Sequence, residues 1–246
     1  MDSEELTKAL AGATSNHERR LLRAIEQLRL GLTDLMAGLP LSDGQLFDLD
    51  AALALRTQID GLVRNEYLTV IDDIIREYPD AVALTGEFME QFAAFRVPQS
   101  VIGQLQQFSF TGHEQLADEF VEALYQQVYN NTLSGTPFSA SLSELNGLLD
   151  ADLQRYSKTM LHDALFEFSS SLQQAAAAEA GITKFRYEGD TIESTRPFCR
   201  GHVGKEYTTD EIYEIWGESW AGKKSGDPFR VRGGYNCRHW WVPVPE

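Results

Sequence analysis

The segment from Leu21 to Leu39 reads LLRAIEQLRLGLTDLMAGL and decides the fold class. Its apolar residues recur at alternating steps of four and three, which is typical of a helix that packs lengthwise against another helix. These seam positions are Leu21, Ile25, Leu28, Leu32, Leu35 and Leu39. Gly38 and Pro40 are residues that end helices. The sequence therefore predicts a first long helix that runs through this seam.

A second apolar stripe follows and predicts a partner for the first helix. Ser42-Asp43-Gly44-Gln45 has the form of a capping box and predicts the start of this second helix. The stripe passes through Leu46, Leu49, Leu53, Ile59, Val63, Tyr67, Val70 and Ile74. Because the link between the two stripes is short, an antiparallel hairpin of long helices is the expected arrangement.

Two further helical stretches complete a predicted helical body. Thr111-Gly112-His113-Glu114 again has the form of a capping box and predicts a helix start at this point. A long stripe runs from Ser141 to Ala175, and Gly181 is placed to cap its C-terminal end. Residues 1–181 are therefore predicted to form one helical body.

The character of the chain changes after Gly181. Lys184 to Tyr187 alternates like a strand, Thr208 to Trp216 has the pattern of a short helix, and Trp240 to Val244 is again strand-like. All four tryptophans and both cysteines lie in residues 182–246. The predicted fold class is mainly α, with long antiparallel helices followed by a small α+β module at residues 182–246.

The charge is distributed unevenly between these two parts. The chain carries a formal net charge of −16, whereas residues 182–246 contain equal numbers of basic and acidic side chains. An acidic body repels the nucleic-acid backbone, which disfavours sequence-independent DNA binding and favours a protein partner. No apolar run has the length of a membrane span, and the acidic start Met1-Asp2-Ser3-Glu4-Glu5 is unlike a signal peptide. A cytoplasmic protein without a membrane signal is expected.

Two segments of the module carry a family resemblance. The first, Tyr187 to Tyr207, reads YEGDTIESTRPFCRGHVGKEY, and the second, Arg232 to Trp240, reads RGGYNCRHW. The features of the module follow one another in a fixed order. They are a strand, an acidic and Thr-Arg segment before a cysteine, a Gly-Lys turn, a short helix and a closing Gly-rich segment with Cys-Arg. In this order they resemble the Mu F-like family of tailed-phage minor head, or head morphogenesis, proteins, in which the closing segment often ends Cys-Arg-Cys. The likeness covers the last quarter of the chain.

The resemblance implies a non-enzymatic structural role in capsid assembly. The implied partners are the phage portal or other virion subunits. Separately, the long apolar helices offer surface for a partner, which predicts association with the portal or with further copies of the chain. The implied location is the virion, with the host cytoplasm as the place of assembly. Packaged DNA would lie nearby, although the sequence carries no strong nucleic-acid-binding signal. A cytoplasmic helical adaptor with no connection to phages stays open as an alternative.

Four residues of the module form a candidate metal site. Cys199-x2-His202 and Cys237-x-His239 supply thiolate and imidazole ligands, the types that zinc prefers in tetrahedral array. Residues i and i+2 of a strand face the same side, so Cys237 and His239 are expected to lie together. The sequence thus predicts one possible structural zinc ion. The alternative is that the cysteines pack as small apolar residues or a thiol pair while the histidines form local hydrogen bonds.

A competing hypothesis makes the module a small nuclease-like hydrolase on a helical adaptor. It assigns the general base to His202 or His239 and the phosphate clamp to an arginine. The available arginines are Arg196, Arg200, Arg230, Arg232 and Arg238. The same arginines are also candidates for internal pairing with Glu188, Asp190 and Glu193.

Overall fold

The structure is a computed structural model that describes residues 3–46, 49–90 and 99–244. It confirms a mainly α-helical fold with a small antiparallel sheet toward the C-terminus. The first elements are α1 (Ser3–Ala37), β1 (Leu41–Ser42), β2 (Gln45–Leu46), α2 (Leu49–Val63), a π-helical segment (Arg64–Leu68), α3 (Thr69–Arg76) and α4 (Tyr78–Met89). There follow α5 (Gln99–Ser134), α6 (Phe138–Leu148), a second π-helical segment (Leu149–Gln154) and α7 (Arg155–Glu179). The C-terminal elements are β3 (Lys184–Glu188), α8 (Pro197–His202), β4 (Glu206–Thr208), α9 (Thr209–Trp216), α10 (Pro228–Val231) and β5 (Trp240–Pro243).

Contacts divide the chain into two compact units. We call residues 16–76 and 107–160 the bundle unit. We call residues 1–15, 77–106 and 161–246 the module unit, because it contains the C-terminal module at residues 182–246 together with helical segments. These limits do not fall at residue 181, where the sequence predicts a boundary. The secondary structure does change there, since α7 ends at Glu179 and β3 begins at Lys184. A separation of residues 1–181 from residues 182–246 stays a prediction.

The first four seam positions of α1 are buried as their spacing predicts, whereas Leu35 is half-buried and Leu39 lies beyond the helix end at Ala37. Leu21, Ile25 and Leu28 expose almost no surface, and Leu32 and Met36 extend the same buried stripe. The helix ends one residue before Gly38, where the amide of Gly38 donates to the carbonyl of Asp34. Burial of this stripe, rather than helix propensity, supplies most of the stability of such a helix.

The capping box predicted at Ser42 to Gln45 is wrong. The segment forms a two-residue β-hairpin, in which Leu41 pairs with Leu46 and Ser42 pairs with Gln45. Asp43 and Gly44 lie in the loop with φ of 51° and 76°. Asp-Gly is favoured in such hairpin loops because both positions require positive φ. The turn preference of Asp43-Gly44 therefore prevails over the helix-start pattern of the flanking residues.

The capping box predicted at Thr111 to Glu114 is also wrong, because α5 passes through this segment without a break. His113 is buried in the middle of the helix and bonds to Tyr67. A Cβ at Gly112 would lie 2.9 Å from the methyl carbon of Met160, so the glycine permits a close approach. Tertiary packing thus keeps this part of α5 helical.

The C-terminal cap of α7 is confirmed at Gly181. This residue has φ of 70°, in the left-handed region that glycine adopts at no steric cost. The amides of Gly181 and Ile182 donate to the carbonyls of Ala178 and Ala177, which closes the helix end.

The module unit contains a three-stranded antiparallel sheet in the order β4-β3-β5. The central strand β3 pairs Tyr187 with Trp241 and Glu188 with Trp240. Phe185 and Tyr187 share the buried face of β3 and pack with Phe198, Phe229 and Trp241 in one apolar cluster. The strands predicted at both ends of the module are confirmed, as is the helix that begins after Thr208, which forms a capping box with Glu211.

The helices of this chain do not have the character of membrane spans in the described ranges. Within the three described ranges, none is both long enough and apolar enough to cross a bilayer.

Candidate metal centre

Three of the four predicted ligands come together in the core of the module unit. The ligand atoms of Cys199, Cys237 and His239 all lie within 4.8 Å of one another, and all three residues are buried. The two sulfurs are 3.9 Å apart, and the sulfur of Cys237 lies 3.7 Å from Nδ1 of His239. Two thiols and an imidazole in this arrangement can bind a soft or borderline metal ion.

These separations match those between the ligands of one tetrahedral zinc ion. With bonds of about 2.3 Å to sulfur and about 2.0 Å to nitrogen, tetrahedral angles place two sulfurs about 3.8 Å apart and sulfur and nitrogen about 3.5 Å apart. The observed 3.9 Å and 3.7 Å agree with these values. A metal could therefore bind without a large rearrangement of the cysteines.

Cys199 is positioned by the short helix α8. Pro197 lies in the first turn of this helix, where its missing amide hydrogen costs nothing. The neighbouring Phe198 ring stacks on Trp220 with centroids 3.8 Å apart. The amide of Val203 donates to the carbonyl of Cys199 and closes the helix. Ring packing and this hydrogen bond fix the backbone that presents the sulfur.

Cys237 and His239 are positioned by a tight turn that leads into β5. Asn236 has φ of 53°, and its amide donates to a carboxylate oxygen of Asp163 at 3.0 Å. The amide of Cys237 donates to the carbonyl of Gly234 at 3.2 Å. Cys237 and His239 lie side by side as predicted, although both precede the first residue of β5, Trp240.

Gly233 is required because the backbone approaches both sulfurs. A Cβ at this position would lie 2.4 Å from the sulfur of Cys199, 2.8 Å from that of Cys237 and 2.9 Å from the hydroxyl of Tyr187. Its carbonyl accepts a hydrogen bond from the Trp220 indole at 3.0 Å, which holds the backbone in place. The glycine thus keeps side-chain volume out of the space that these three atoms border.

His202 does not join the other three predicted ligands. Its Nδ1 lies 2.7 Å from the hydroxyl of Tyr207, and its ring packs on Phe198. Partial burial lowers the pKa of His202 below its ordinary value. Residues three apart in a helix lie on neighbouring parts of its surface. The His202 ring is nevertheless held away from the sulfurs by its hydrogen bond to Tyr207 and its packing on Phe198. The four-residue cluster expected from the sequence is therefore corrected to a group of three.

Tyr187 also belongs to this cluster, although no sequence motif singles it out. Its hydroxyl lies 3.4 Å from the sulfur of Cys199 and 3.6 Å from that of Cys237. Its ring stacks on His239 with centroids 5.5 Å apart. In a strand that alternates apolar and polar residues, a tyrosine resembles an ordinary core residue, so its pattern carried no signal of a ligand. We call Tyr187, Cys199, Cys237 and His239 the thiol cluster.

The two thiols have unequal tendencies to ionise. The hydrogen bond from Cys199 holds the pKa of Cys237 well below its ordinary value, and His239 and Arg232 act in the same direction. That same bond and burial raise the pKa of Cys199. Burial likewise raises the pKa of Tyr187. A thiolate at Cys237 is the form that binds a metal ion.

Two polar groups beside the sulfurs lack ordinary partners. Among the residues that the structure describes, Nε2 of His239 has no hydrogen-bond partner although the side chain is buried. Nε and Nη2 of Arg232 also have none within the same ranges, and this side chain is wholly buried. Buried polar atoms are normally hydrogen-bonded. A cation held through Nδ1 of His239 would contact neither Nε2 of the same ring nor the Arg232 nitrogens, so these atoms call for a water or an anion rather than for the metal.

The charge of Arg232 also acts on the buried carboxylate of Asp163. Burial opposes ionisation of Asp163, but the hydrogen bond from His162 and the charges of Lys224 and Arg232 outweigh it and hold the pKa of Asp163 below its usual value. Lys224 pairs with Asp163 and also with Glu167. These pairs fix the turn that carries Cys237, because Asp163 accepts from the amide of Asn236.

The bundle unit contains a second buried polar cluster. The hydroxyl of Tyr67 lies 2.6 Å from Nδ1 of His113 and 2.7 Å from the hydroxyl of Ser157, and all three residues are buried. Burial lowers the pKa of His113 to about 4, so the imidazole is neutral at neutral pH. We call these three residues the hydroxyl network. It supplies good hydrogen-bond partners to every hydroxyl it contains.

The residues of the hydrolase hypothesis are engaged in internal contacts. His239 belongs to the thiol cluster, and His202 is bonded to Tyr207. Arg196 donates to the carbonyl of Tyr235, and Arg200 donates to the carbonyls of Ile192 and Glu193. Arg196 and Arg200 thus take main-chain acceptors, whereas the sequence suggested carboxylates. Arg230 does pair with a carboxylate, that of Glu167, and Arg232 donates to the hydroxyl of Ser170.

Comparison with protein-family models, with curated proteins and with solved structures finds no match to this chain. The residues of the site therefore carry the argument about function.

Proposed function

We propose that this chain is a structural protein of tailed-phage heads and that one zinc ion holds its C-terminal module together. The observation that carries this proposal is the buried group of Cys199, Cys237 and His239 with ligand-sized separations. The order of motifs around these residues, which resembles that of the Mu F-like minor head proteins, supports the phage assignment.

Zinc fits the donor set better than magnesium or calcium does. Thiolate and imidazole favour zinc over magnesium or calcium, which prefer oxygen ligands. The sheet of the module has three short strands, and small modules of this kind are often held together by a metal or a disulfide. Zinc bound at such a site contributes its binding free energy to folding, because the unfolded chain holds no preformed site.

We propose that a groove in the bundle unit receives a virion subunit. The groove has a volume of about 530 Å³ and lies between α5 and the segment that begins at Asp152. Leu116, Phe120, Ala123, Tyr156 and Met160 form its apolar lining. Tyr156 exposes 46% of its surface. Glu119 and Asp152 line the same groove, which favours a partner segment with basic residues beside apolar ones.

Co-assembly tests the docking role. Tyr156→Asp places a charge in the apolar groove, whereas the matched Leu133→Asp places one at another exposed apolar position of the bundle unit. We expect particles made in cells that carry the gene to incorporate the Leu133→Asp chain and to exclude the Tyr156→Asp chain. Circular dichroism checks that both variants fold. Full incorporation of the Tyr156→Asp chain would contradict the proposed docking surface.

Mass spectrometry of purified particles tests the assignment itself. The proposal expects the chain as a component of the particle in fixed ratio to the portal subunits. Absence of the chain from particles would contradict the phage role. Metal-dependent cleavage of DNA by the purified chain, abolished in a His202→Ala variant, would instead support the hydrolase.

A further inference from the structure

The hydroxyl of Tyr187 lies close to both sulfurs of the thiol cluster. Tetrahedral zinc, with bonds of about 2.3 Å to sulfur and about 2.0 Å to oxygen, places a sulfur and an oxygen ligand about 3.5 Å apart. The hydroxyl lies 3.4 Å and 3.6 Å from the two sulfurs. Together with the sulfur–sulfur and sulfur–nitrogen distances, four edges of the tetrahedron agree with those expected for zinc.

We propose that Tyr187 is the fourth ligand and that the centre is a closed site of two cysteines, one histidine and one tyrosine. This inference rests on the proposed function, since it requires that the cluster binds zinc. It goes beyond that function because it names a ligand that the cysteine and histidine motifs do not contain and leaves the metal no open position.

The surroundings of Tyr187 hold its hydroxyl at the centre. The residue pairs with Trp241 across the sheet, and the two rings lie with centroids 4.4 Å apart. Phe198 meets the ring edge-on, and His239 stacks on it. A fully buried ring enclosed in this way cannot turn its hydroxyl toward solvent. The oxygen is therefore presented to the two sulfurs in the folded state.

The hydroxyl of Tyr187 has weak partners in the absence of a metal. Within the described ranges, its hydrogen-bond partners are the two sulfurs, and sulfur is a weak donor and a weak acceptor. The hydroxyl of Tyr67, buried to the same degree, has a nitrogen and an oxygen at 2.6 Å and 2.7 Å. A metal ion would supply the strong interaction that Tyr187 otherwise lacks.

The charge of Arg232 fits a centre that contains a phenolate. Two thiolates, one phenolate and a divalent cation sum to one negative charge. Arg232 is wholly buried and brings one positive charge that acts on Cys237. Its Nη1 donates to Ser170, and the nearby charge of Asp163 is already shared with Lys224. Arg232 thus provides the compensating charge that a buried anionic centre needs.

A closed site has a functional consequence. Structural zinc sites have four protein ligands, whereas catalytic sites keep a position for water or substrate. With Tyr187 bound, the centre would have no such position, so the inference favours a structural module over a zinc hydrolase.

Zinc titration of the metal-free full chain tests this ligand. Binding through Tyr187 releases its phenolic proton in addition to the thiol protons, and it produces the ultraviolet difference band of a phenolate. We expect this band in the wild-type chain and in the control Tyr207→Phe, whose hydroxyl bonds to His202 outside the cluster. We expect Tyr187→Phe to lack the band, to release one proton fewer and to bind zinc at least about 10-fold more weakly.

The outcomes separate this inference from the proposed function. If the wild-type chain binds zinc without a phenolate band, and Tyr187→Phe binds it equally tightly with the same proton release, Tyr187 is not a ligand while the zinc module stands. If the wild-type chain binds no zinc, both proposals fail. Absence of the band from the zinc-bound wild-type chain overturns Tyr187 as a ligand however well the variant folds. A band that persists in Tyr187→Phe would belong to another of the nine tyrosines and would overturn it too.

Discussion

Two buried tyrosines of this protein have very different partners. In the bundle unit, Tyr67 bonds to His113 and Ser157 at distances typical of strong hydrogen bonds. In the module unit, Tyr187 contacts two sulfurs beside an imidazole with an unpartnered nitrogen within the described part of the chain. The first cluster is complete without a ligand. The second has the separations and donor types of a metal site.

The difference shows which buried polar clusters call for a ligand. A hydroxyl network that satisfies itself stabilises one packing arrangement, and removal of a member leaves a partner unsatisfied. A thiol cluster gains little from its internal hydrogen bonds, because sulfur is a weak partner. Its stability is therefore expected to depend on a bound ion, whereas that of the hydroxyl network is not.

Chelation of the metal should produce the largest effect. Structural zinc contributes about 10 kcal/mol or more of apparent binding free energy, which exceeds the stability of many domains. We expect a strong chelator, or the change Cys237→Ser, to unfold residues 182–244 while the helices of the bundle unit persist. All four tryptophans lie in residues 182–246, so tryptophan fluorescence reports on the module, and far-UV circular dichroism reports mainly on the helices.

The matched control for Cys237→Ser is Ser157→Ala in the hydroxyl network. This change should leave the tryptophan fluorescence and its response to the chelator unaltered. The wild-type chain could instead show the same fluorescence and the same melting temperature with and without chelator. In that case the thiol cluster, like the hydroxyl network, would not depend on a bound ion.

Acid should destabilise the bundle unit through His113. The unfolded histidine takes up a proton near pH 6.5, whereas burial lowers the folded pKa to about 4. Between these values the unfolded state binds more protons, so stability falls as the pH drops. The pKa shift of His113 corresponds to a loss of about 3 kcal/mol in the free energy of unfolding as the pH falls from 6.5 to about 4.

The His113→Asn variant isolates this contribution. The amide oxygen of asparagine can accept from Tyr67 as Nδ1 does, but it does not titrate. Urea denaturation at several pH values should therefore show a shallower pH slope for the variant, because all other groups contribute equally to both chains. Equal slopes would show that His113 does not titrate as its burial predicts.

Gly233→Ala should destabilise the module by about 2 kcal/mol, within the range for overpacked sites. The new methyl group would lie 2.4 to 2.9 Å from the sulfurs and the Tyr187 hydroxyl. We also expect weaker zinc binding, measured by competition with a chelating dye. The control is Gly201→Ala, where a Cβ would meet no atom within 4 Å. A Gly233→Ala variant with unchanged stability and unchanged zinc affinity would argue against a metal centre at the thiol cluster.

Tyr67→Phe should lower the free energy of unfolding by about 1–2 kcal/mol, because Nδ1 of His113 and the hydroxyl of Ser157 lose their shared partner. Urea denaturation followed by circular dichroism measures this loss, with Tyr129→Phe as a matched change elsewhere in the bundle unit. The zinc content should not change. A variant that loses zinc would show that the two clusters are not independent.

The sequence predicts the regular parts of this fold well, because their signals are local. The seam of α1, the strand at Lys184 and the cap at Gly181 follow from residues that are neighbours in the chain. The two wrong capping boxes fail because the same residue pattern serves a hairpin at Asp43-Gly44 and the middle of a helix at His113. Turn preference and tertiary contacts decided these cases.

The candidate site was predictable only in part. Cysteine and histidine are recognised as ligands by residue type, so Cys199, Cys237 and His239 could be named in advance. Tyr187 could not, because its contact with the sulfurs depends on strand register and on the turn at Gly233. These are long-range features that a spacing pattern does not contain.

Metal analysis of the purified full chain tests the central claim most directly. Elemental mass spectrometry should find about one zinc ion per wild-type chain, as expected for a structural site. It should find the same content in Ser157→Ala and none in Cys237→Ser. A wild-type chain without stoichiometric metal, or a Cys237→Ser chain with undiminished zinc, would contradict the account.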